Sequence, residues 1–462
     1  MDPNTNPLVR QLSSDPTTSN PTVQTDTPVT ATVPTINEKS DTTGVAAEGQ
    51  EAVVDAEDTF PEGGLRAWLV VIGACLCLFP SFGFMVSIGP VQDYLIQHQL
   101  RNYSARDVGW IPSVFVYLSL ALGIWVGPLF DRYGPRWLAM IGSTGYIVMM
   151  FLLAECKVYY QFMLCLGVLG GLCGAMLTTT SLACCAHWFK VRRGLAQGIA
   201  MIGSSFGGLT IPLILRETFP KYGYQWSIRI LGFTFLGCLV IGNIFLRSRI
   251  PPRKNAKVKI ISLSIFGDLR FSLLTVSVFC FEIVLFGALG IVPTYATIST
   301  DYPPDTGFYL ISVMNGVSSV GRLVTGFLSD RFGRFNTLLV SAVIALLSML
   351  VIWLPFGQHN LGALYAFIAL FGFMTGCWMA LVPACIGQLC RADEFGRYYG
   401  TSYFVASLAT LVCIPISGEL VEMVGAQAMV AFYCAILAVG CLTFAGSRWA
   451  CLRWKWDWTS KV

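Results

Sequence analysis

The sequence predicts an all-α membrane protein with about twelve transmembrane helices in two pseudo-symmetric six-helix halves. Of its 462 residues, 55% are hydrophobic and only 12% are charged, which leaves too few polar groups for a normal water-facing surface. From Ala67 onward, apolar runs of about 18 to 25 residues follow one another, and each can cross ~30 Å of hydrocarbon. An eight-residue pattern at 127–134 returns at 326–333, each time where one apolar run ends and the next begins. Two copies of one membrane unit are typical of proteins that rock about a central site.

The apolar runs form two sets of six predicted helices. The first set lies near 67–91, 108–129, 138–155, 160–186, 194–216 and 226–246. The second set lies near 268–296, 308–329, 337–355, 361–386, 398–418 and 426–447. We therefore expect five regions, namely an N-terminal tail at 1–60, six-helix halves at 61–246 and 267–447, a linker at 247–266 and a C-terminal tail at 448–462.

Residues 1–60 differ in composition from the rest of the chain. They are rich in Thr, Pro, Ser and Asn, and they end in an acidic stretch that includes Glu51, Asp55 and Glu57. Such a segment has too little apolar content to offset the entropy of ordering, so we predict that it is disordered. It has no basic start followed by an apolar core, which argues against a cleaved signal peptide.

Lys and Arg are distributed unevenly between the two sets of loops. Twenty of them, from Arg132 to Lys461, lie after the even-numbered helices, in the linker and in the C-terminal tail. The opposite loops hold only six: Arg101, Arg106, Lys157, Arg216, Lys221 and Arg229. Because cytoplasmic loops carry the excess of positive charge, we expect the linker and both termini to be cytoplasmic, in a multi-pass protein of the plasma membrane. The basic linker either tethers the halves or also lies along anionic headgroups.

The chain shows no pattern of a cofactor site. Its sixteen cysteines fall singly inside apolar runs, and its three histidines (His98, His187 and His359) are far apart, so we interpret the cysteines as packing residues and expect no metal and no cofactor. The sequence contains no nucleotide-binding loop and no nucleophile constellation, which predicts that the protein is not an enzyme. The expected partners are a small organic solute, membrane lipids and, as a candidate coupling ion, protons; we expect no nucleic acid.

The repeated pattern Gly-x-x-x-Asp-Arg-x-Gly predicts a contact that opens and closes. An Asp at a helix end can accept from the free backbone N–H groups at the start of a neighbouring helix, while an Arg holds a carboxylate nearby. The glycines permit a tight turn and a close helix approach. We therefore predict conformational gating by two sets of residues, together with two arginines before the fifth helix. They are Gly127, Asp131, Arg132, Gly134 and Arg136; Gly326, Asp330, Arg331, Gly333 and Arg334; and Arg192 and Arg193.

Both copies of the pattern resemble the signature loop of the major facilitator superfamily, and the resemblance covers residues 62–447. A narrower resemblance is to the monocarboxylate porter family, in particular to its fungal branch. Glu62-Gly63-Gly64, with Trp68 opening the first helix, is similar to that family's first signature. The segment from Trp188 to Ala200 is similar to its second signature, before helix five.

The resemblance implies an anion site in helix eight. That helix in the family carries an Asp and, four residues later, an Arg that binds the substrate carboxylate; here Ser318 and Arg322 stand at these positions. Animal members also have a proton-coupling lysine in helix one, where this chain has Val86. The resemblance therefore implies that the anion-binding arginine is present and that two proton-linked groups are absent.

Three polar residues inside predicted helices are candidates for solute binding and coupling. Arg322 lies eight residues before Asp330, roughly 12 Å inside its helix, so it should either line a cavity and bind substrate or form a structural ion pair. Asn315, about two turns earlier on a similar face, is a second candidate substrate contact. Glu282 is the only carboxylate deep inside a predicted helix, roughly 21 Å from the helix start at Asp268, and is either a proton-coupling group or a structural hydrogen-bonding residue. Phe84, Tyr117, Trp378 and Tyr403 either shape a pocket for an aromatic solute or pack in the core.

Three functions fit these observations. The first is secondary active transport of a small organic anion, monocarboxylate-like or a carboxylate-bearing metabolite, by alternating access. The second is efflux of a secondary metabolite. The third, of another class, is a non-transporting membrane sensor of nutrients. Because no ATP-binding domain is recognisable, transport must use a gradient.

Overall fold

The computed structural model describes residues 60–250, 263–298 and 306–455, which fall in one compact unit. Every regular element in these ranges is a helix, so the predicted all-helical architecture is confirmed. Nine described segments are long and apolar enough to cross a membrane. The predicted disordered tail up to residue 59, most of the linker and the last seven residues lie outside the described residues.

Twelve helical segments carry the fold, and we number them in chain order. They are α1 (Leu65–Val86), α2 (Ala105–Ala121 and Gly123–Tyr133), α3 (Pro135–Glu155), α4 (Tyr159–Trp188), α5 and α6 (the two parts of Arg193–Phe245, which bends at Gly223), α7 (Leu269–Ile298), α8 (Thr306–Phe332), α9 (Arg334–Phe356), α10 (Leu361–Leu389), α11 (Phe395–Met423) and α12 (Ala426–Cys451). A short helix, Gly89–Gln97, follows α1.

The first helix ends earlier than its apolar run predicts. We expected it to reach residue 91, but it stops at Val86, and the short helix then begins at Gly89 with Pro90 in its first turn. Pro90 has no N–H to donate to the carbonyl oxygen of Val86, four residues earlier, and its ring suits the first turn of a new helix, which explains the break at this point. The expected loop between α5 and α6 is reduced to Gly223, whose φ of 71° is readily adopted only by glycine.

The two signature loops form matching tight turns. Gly134 has a φ of 77° between α2 and α3, and Gly333 has a φ of 97° between α8 and α9. Left-handed backbone at both positions explains why the pattern ends in glycine each time. We call the end of the bundle that contains these turns the basic side, because Arg132, Arg136 and Arg331 lie there.

Near the basic side, helices of the first half contact helices of the second half backbone to backbone. A Cβ added to Gly127 in α2 would overlap the carbonyl group of Gly396 in α11. A Cβ added to Gly326 in α8 would lie 2.8 Å from the carbonyl oxygen of Gly194 in α5. Small residues at such crossings let helices approach closely in a membrane. The two pairs, α2 with α11 and α8 with α5, close the basic side.

Candidate functional site

The carboxylate of Asp131, near the end of α2, binds the start of α11. Its Oδ1 accepts from the N–H of Gly396 at 3.1 Å, and its Oδ2 accepts from the N–H of Arg397 at 2.9 Å. These N–H groups lie in the first turn of α11, where they have no partner within the helix and where the helix dipole favours negative charge. Asp131 therefore joins the first half to the second.

Asp330, the matching residue of the second copy, binds the start of α5. Its two carboxylate oxygens accept from the N–H groups of Gly194 and Leu195, each at 2.9 Å. Arg334 lies 3.9 Å from the same carboxylate and donates to the carbonyl oxygens of Lys190 and Val191. This contact joins the second half to the first, so the two loops clamp the basic side reciprocally.

A third carboxylate, Glu62, completes the amino-terminal anchor of α5. It accepts from the N–H groups of Lys190 at 2.8 Å, Val191 at 2.7 Å and Arg192 at 3.0 Å. Together with Asp330 it satisfies five backbone donors at and before the first turn of α5. Sequence reasoning gave Glu62 no role, although the Glu-Gly-Gly signature had drawn attention to it.

Arg193 is buried behind this anchor. Its guanidinium donates to the carbonyl oxygens of Phe189 at 2.9 Å, Ala186 at 3.2 Å and Gly387. Because Gly387 belongs to α10, this side chain is another link between the halves. Burial of a cation is costly, and the nearby carboxylates of Glu62 and Asp330 offset part of that cost.

The other predicted gating arginines lie nearer the surface. The guanidinium groups of Arg132 and Arg331 lie over the rings of Tyr133 and Phe332, at 5.3 and 5.9 Å. Arg192 is exposed and contributes its backbone N–H rather than its side chain. Arg136 is exposed and lines a lateral groove between α3 and α6.

Arg322 of α8 is 3% exposed and lies at the interface of α8 with α5. Its Nη1 donates to the carbonyl oxygen of Met201 and to the hydroxyl of Ser204, both in α5. Within the described part of the chain its Nε has no hydrogen-bond partner, and no salt bridge to it is found there. The guanidinium therefore crosses between the halves and retains a donor for a further acceptor.

Asn315 lies two turns from Arg322 along the same helix interface. A Cβ added to Gly208 of α5 would lie 3.1 Å from the Oδ1 of Asn315 and 3.0 Å from a methyl group of Val86. The Nδ2 of Asn315 is buried without a partner among the described residues. Val86 and Asn315 thus lie together, next to α5. Ser318, between the two donors in sequence, packs instead on α10, at Gly376.

Glu282 lies apart from these donors. It is 3% exposed in α7, it interacts electrostatically with Tyr399 and Tyr403 of α11, and its Oε2 has no partner among the described groups. The structure does not bring it into a pair with Arg322. Of the aromatic residues singled out, Phe84 is packed against Phe115 and Phe235, and Trp378 against Phe281 and Phe371.

Sequence reasoning missed the α5 side of the site. Ser204 and the carbonyl of Met201 position Arg322, and Gln197, one turn before Met201, is fully buried with both amide atoms unpartnered in the described part of the structure. Gln197, Met201, Ser204 and Gly208 are spaced three or four residues apart, which places them on one helix face. Polar residues at that spacing in an apolar run were the available signal.

Comparisons with known proteins agree with this architecture. A family model described as Major Facilitator Superfamily matches residues 71–412 and 310–454. The riboflavin transporter MCH5 of Saccharomyces cerevisiae is 32% identical over 424 residues, which cover 86% of this chain and 81% of that protein. The aspyridones efflux protein apdF of Emericella nidulans is 33% identical over 393 residues, or 84% of this chain and 79% of that protein.

Among solved structures, the E. coli fucose:proton symporter FucP aligns with a TM-score of 0.63 at 16% identity, over 82% of this chain and 99% of that one. At this identity the likeness concerns the fold alone. The relatives are transporters, and no catalytic family is indicated. With a family model that covers most of the helical bundle and relatives above 30% identity, the chain belongs to the Major Facilitator Superfamily.

Proposed function

We propose that the chain is a secondary active transporter that moves a small organic anion, monocarboxylate-like or a carboxylate-bearing metabolite, by alternating access. The supporting observation is a pair of buried donors at the α5–α8 interface, Arg322 Nε and Asn315 Nδ2, which lack partners among the described residues. Buried donors are almost always satisfied, so an acceptor from outside the protein is expected there. A carboxylate fits because a guanidinium binds two oxygens through parallel N–H groups.

The clamps at Asp131 and Asp330 support the alternating-access part of the proposal. They make four backbone-to-carboxylate hydrogen bonds between the halves. Hydrogen bonds to charged groups contribute about 1.5–3 kcal/mol each. Opening of the basic side requires that these bonds break, while solute bound at Arg322 links the same two helices, α5 and α8. We propose that, during gating, contacts with the solute at Arg322 replace the hydrogen bonds of the two clamps.

Orientation and coupling are part of the same proposal. The basic side corresponds to the cytoplasm if the Lys and Arg bias sets the topology of a plasma-membrane protein. Glu282 is the proposed proton-coupling group, because it is a deeply buried carboxyl group with an unpartnered oxygen. The placement in the fungal branch of the monocarboxylate porter family also belongs to this proposal, on the strength of the two signatures.

Efflux of a secondary metabolite is the second candidate. It is favoured by the relatives, which include the aspyridones efflux protein and the fujikurins efflux protein of Gibberella fujikuroi, 32% identical over 84% of this chain. The same donors could hold a carboxylate-bearing metabolite that leaves the cell, so the two candidates differ in direction and solute size rather than in the site.

The deciding experiment is an uptake and efflux screen in cells that lack the carrier, with and without a proton gradient. Each carboxylate solute is paired with its amide, which keeps the size and removes the charge. We expect transport of the acid but not of the amide, and loss of that preference in Arg322→Ala. Arg453→Ala, which removes an exposed cation at the end of α12, is the matched control. Equal transport of acid and amide by the wild-type protein would refute the anion proposal.

A further inference from the structure

Two cysteines lie together where α3 ends and α4 begins, at the end of the bundle opposite the basic side. Cys156 follows the last residue of α3, and its thiol donates to the carbonyl oxygen of Leu152 at 3.3 Å. The thiol of Cys165, in α4, donates to the carbonyl oxygen of Met149, also at 3.3 Å. Carbonyl groups three residues apart are neighbours along one helix. Both sulfur atoms therefore lie against the same stretch of α3.

The two thiols are also in direct contact with each other. Both are free, and Cys156 and Cys165 share a side-chain hydrogen bond. This hydrogen bond lowers the pKa of the Cys156 thiol below its usual value, because a neighbouring S–H group stabilises the thiolate, while burial and the charge of Glu155 oppose the change only in part. Since the thiolate is the nucleophile, Cys156 is the sulfur of the pair that reacts first with an oxidant.

Cys165 lies in an irregular part of α4. The segment Met163–Gly170 is a π-helix, so α4 departs here from the hydrogen-bonding pattern of an α-helix. Such segments are rare, and they are frequent at functional sites. The pairing of Cys165 with Cys156 gives this irregular segment a chemical role.

A cavity of about 380 Å³ gives access to Cys156 from the surface. Its lining includes Cys156, Lys157, Tyr222 and Tyr224. Tyr222 is 60% exposed, so the cavity opens to the surrounding medium at this end of the bundle. A small oxidant such as hydrogen peroxide can therefore reach Cys156.

Tyr224 adds a hydrogen-bond donor beside the two thiols. Its side chain is 5% exposed, and its hydroxyl has no hydrogen-bond partner among the residues that the structure describes. It lies close enough to Cys156 and Cys165 to interact electrostatically with both. Because buried hydroxyl groups are almost always satisfied, this donor is suited to a thiolate or to a peroxide oxygen held at the pair.

We propose that Cys156 and Cys165 form a reactive dithiol, which peroxide oxidises to a disulfide in the folded protein. The thiolate of Cys156 attacks one oxygen of hydrogen peroxide, which breaks the O–O bond, forms a sulfenic acid and releases hydroxide. The sulfur of Cys165 then displaces the sulfenic oxygen, which leaves as water with the proton of Cys165. Together the two thiols give up two electrons, and one peroxide is reduced to two molecules of water.

The disulfide ties the end of α3 to the start of α4. Both helices belong to the first half, so the bond constrains the loop 156–165 and leaves the interface between the halves free to open. Disulfides persist in oxidising compartments, and the pair lies on the oxidising side of the membrane if the basic side is cytoplasmic. The reactivity of the pair itself depends neither on that orientation nor on the transported solute.

The test uses the purified full chain in detergent, reduced first and then treated with hydrogen peroxide while folded. The remaining thiols are blocked with N-ethylmaleimide before digestion with trypsin. Cleavage after Lys157 separates Cys156, in peptide 137–157, from Cys165, in peptide 158–190. We expect the linked pair of peptides to be the main disulfide product. Its amount should fall by about tenfold or more in Cys156→Ser and in Cys165→Ser.

Cys173→Ser is the matched control. Cys173 lies in the same tryptic peptide as Cys165, and it is likewise a buried residue of α4. The linkage should persist in this variant at the wild-type level. Size-exclusion profiles establish that each variant is folded.

A second measurement follows the sulfenic acid intermediate. In Cys165→Ser the sulfenic acid on Cys156 has no thiol to react with, so dimedone should label Cys156 strongly in that variant and weakly in the wild-type protein. Absence of the linked peptides from the oxidised wild-type protein, a linkage that survives Cys165→Ser, or equal dimedone labelling of the wild-type protein and Cys165→Ser would each overturn the proposal. Any of these results would leave the two cysteines as packing residues.

Discussion

Asp131 and Asp330, which are 199 positions apart, make the same contact in opposite directions. Asp131 of the first half accepts from the first-turn N–H groups of α11, and Asp330 of the second half accepts from those of α5. Each half therefore supplies one carboxylate and receives one. The internal repeat thus produces a reciprocal clamp. Loss of either carboxylate should leave the hydrogen bonds of the other carboxylate intact.

We predict that Asp131→Asn weakens the closed basic side without preventing folding. Asn keeps one acceptor oxygen but loses the charge, so the two bonds to Gly396 and Arg397 become weaker. A loss of about 1.4 kcal/mol would change the ratio of closed to open forms about tenfold. The measurement is maleimide labelling of Cys390, which lines the cleft at the basic side, mapped by mass spectrometry.

The buried Cys173 of α4 provides the internal reference for that measurement. Labelling of Cys390 should rise in Asp131→Asn and in Asp330→Asn, and more in the double variant, while labelling of Cys173 stays low. If labelling of Cys390 and the transport rate are unchanged in all three variants, the signature loops determine topology and do not gate.

The helices and the signature turns could be predicted from the sequence because each depends on local chemistry. Long apolar runs must be helical in a membrane, since every backbone polar group needs a partner there. The final glycine of each signature loop was predicted from the tight turn, and both Gly134 and Gly333 have positive φ. The early end of α1 was missed because apolar content continues past the point where Pro90 interrupts the hydrogen bonding.

The partners of the candidate site residues could not be predicted in the same way. Arg322 meets Ser204 across an interface between the halves, 118 positions away, and helical spacing fixes only which residues share a face of one helix. The contact of Glu62 with the N–H groups before α5 likewise depends on how the chain packs over 128 positions. Counting residues along the helix predicts the depth of Arg322, but identifying its neighbours requires the tertiary structure.

We predict that Gly127→Ala blocks closure of the basic side. The added Cβ would overlap the carbonyl group of Gly396, and backbone atoms cannot move aside as a flexible side chain could. Gly237→Ala is the matched control, because a Cβ there has no atom within 4 Å. Gly127→Ala should show the same rise in Cys390 labelling as the Asp variants, together with reduced transport. Normal labelling and normal transport in Gly127→Ala would show that the close approach of α2 and α11 is dispensable.

We predict that the basic side faces the cytoplasm, because it holds the excess of Lys and Arg. Cysteines introduced at Lys455, exposed beyond α12, and at Tyr222, 60% exposed at the opposite end of the bundle, form a matched pair. In intact cells an impermeant thiol reagent should label the Tyr222→Cys site alone. After permeabilisation it should label both. Labelling of the Lys455→Cys site in intact cells would reverse the proposed orientation.

We predict that Glu282→Gln uncouples transport from the proton gradient. Glutamine resembles the protonated carboxyl group permanently, so solute exchange should persist while a pH gradient no longer drives accumulation. Glu419→Gln, which removes an exposed carboxylate from α11, is the control and should keep the pH dependence. Rates are measured in vesicles with and without an imposed pH gradient. An unchanged response to the gradient in Glu282→Gln would leave Glu282 a structural role beside Tyr399 and Tyr403.

We predict that Arg322→Lys fails nearly as badly as Arg322→Ala in transport. The guanidinium already donates to Met201 and Ser204, and its Nε is left for the solute. Lysine carries the same charge on a compact group without the planar fork, so it cannot hold these acceptors and two carboxylate oxygens together. Both variants should reach the membrane in normal amounts, since no salt bridge within the described residues depends on Arg322.

Two further variants separate binding from structure at Arg322. Ser204→Ala should raise KM several-fold with little change in the maximal rate, because it removes one partner that positions the guanidinium and leaves the charge in place. A structural ion pair predicts instead that Arg322→Ala misfolds and that Glu282→Gln partly rescues it, which the separation of these two residues argues against. If Arg322→Ala folds and transports at the wild-type rate, the carboxylate site is refuted, and the solute is then expected to be neutral and held by other residues of the α5–α8 interface.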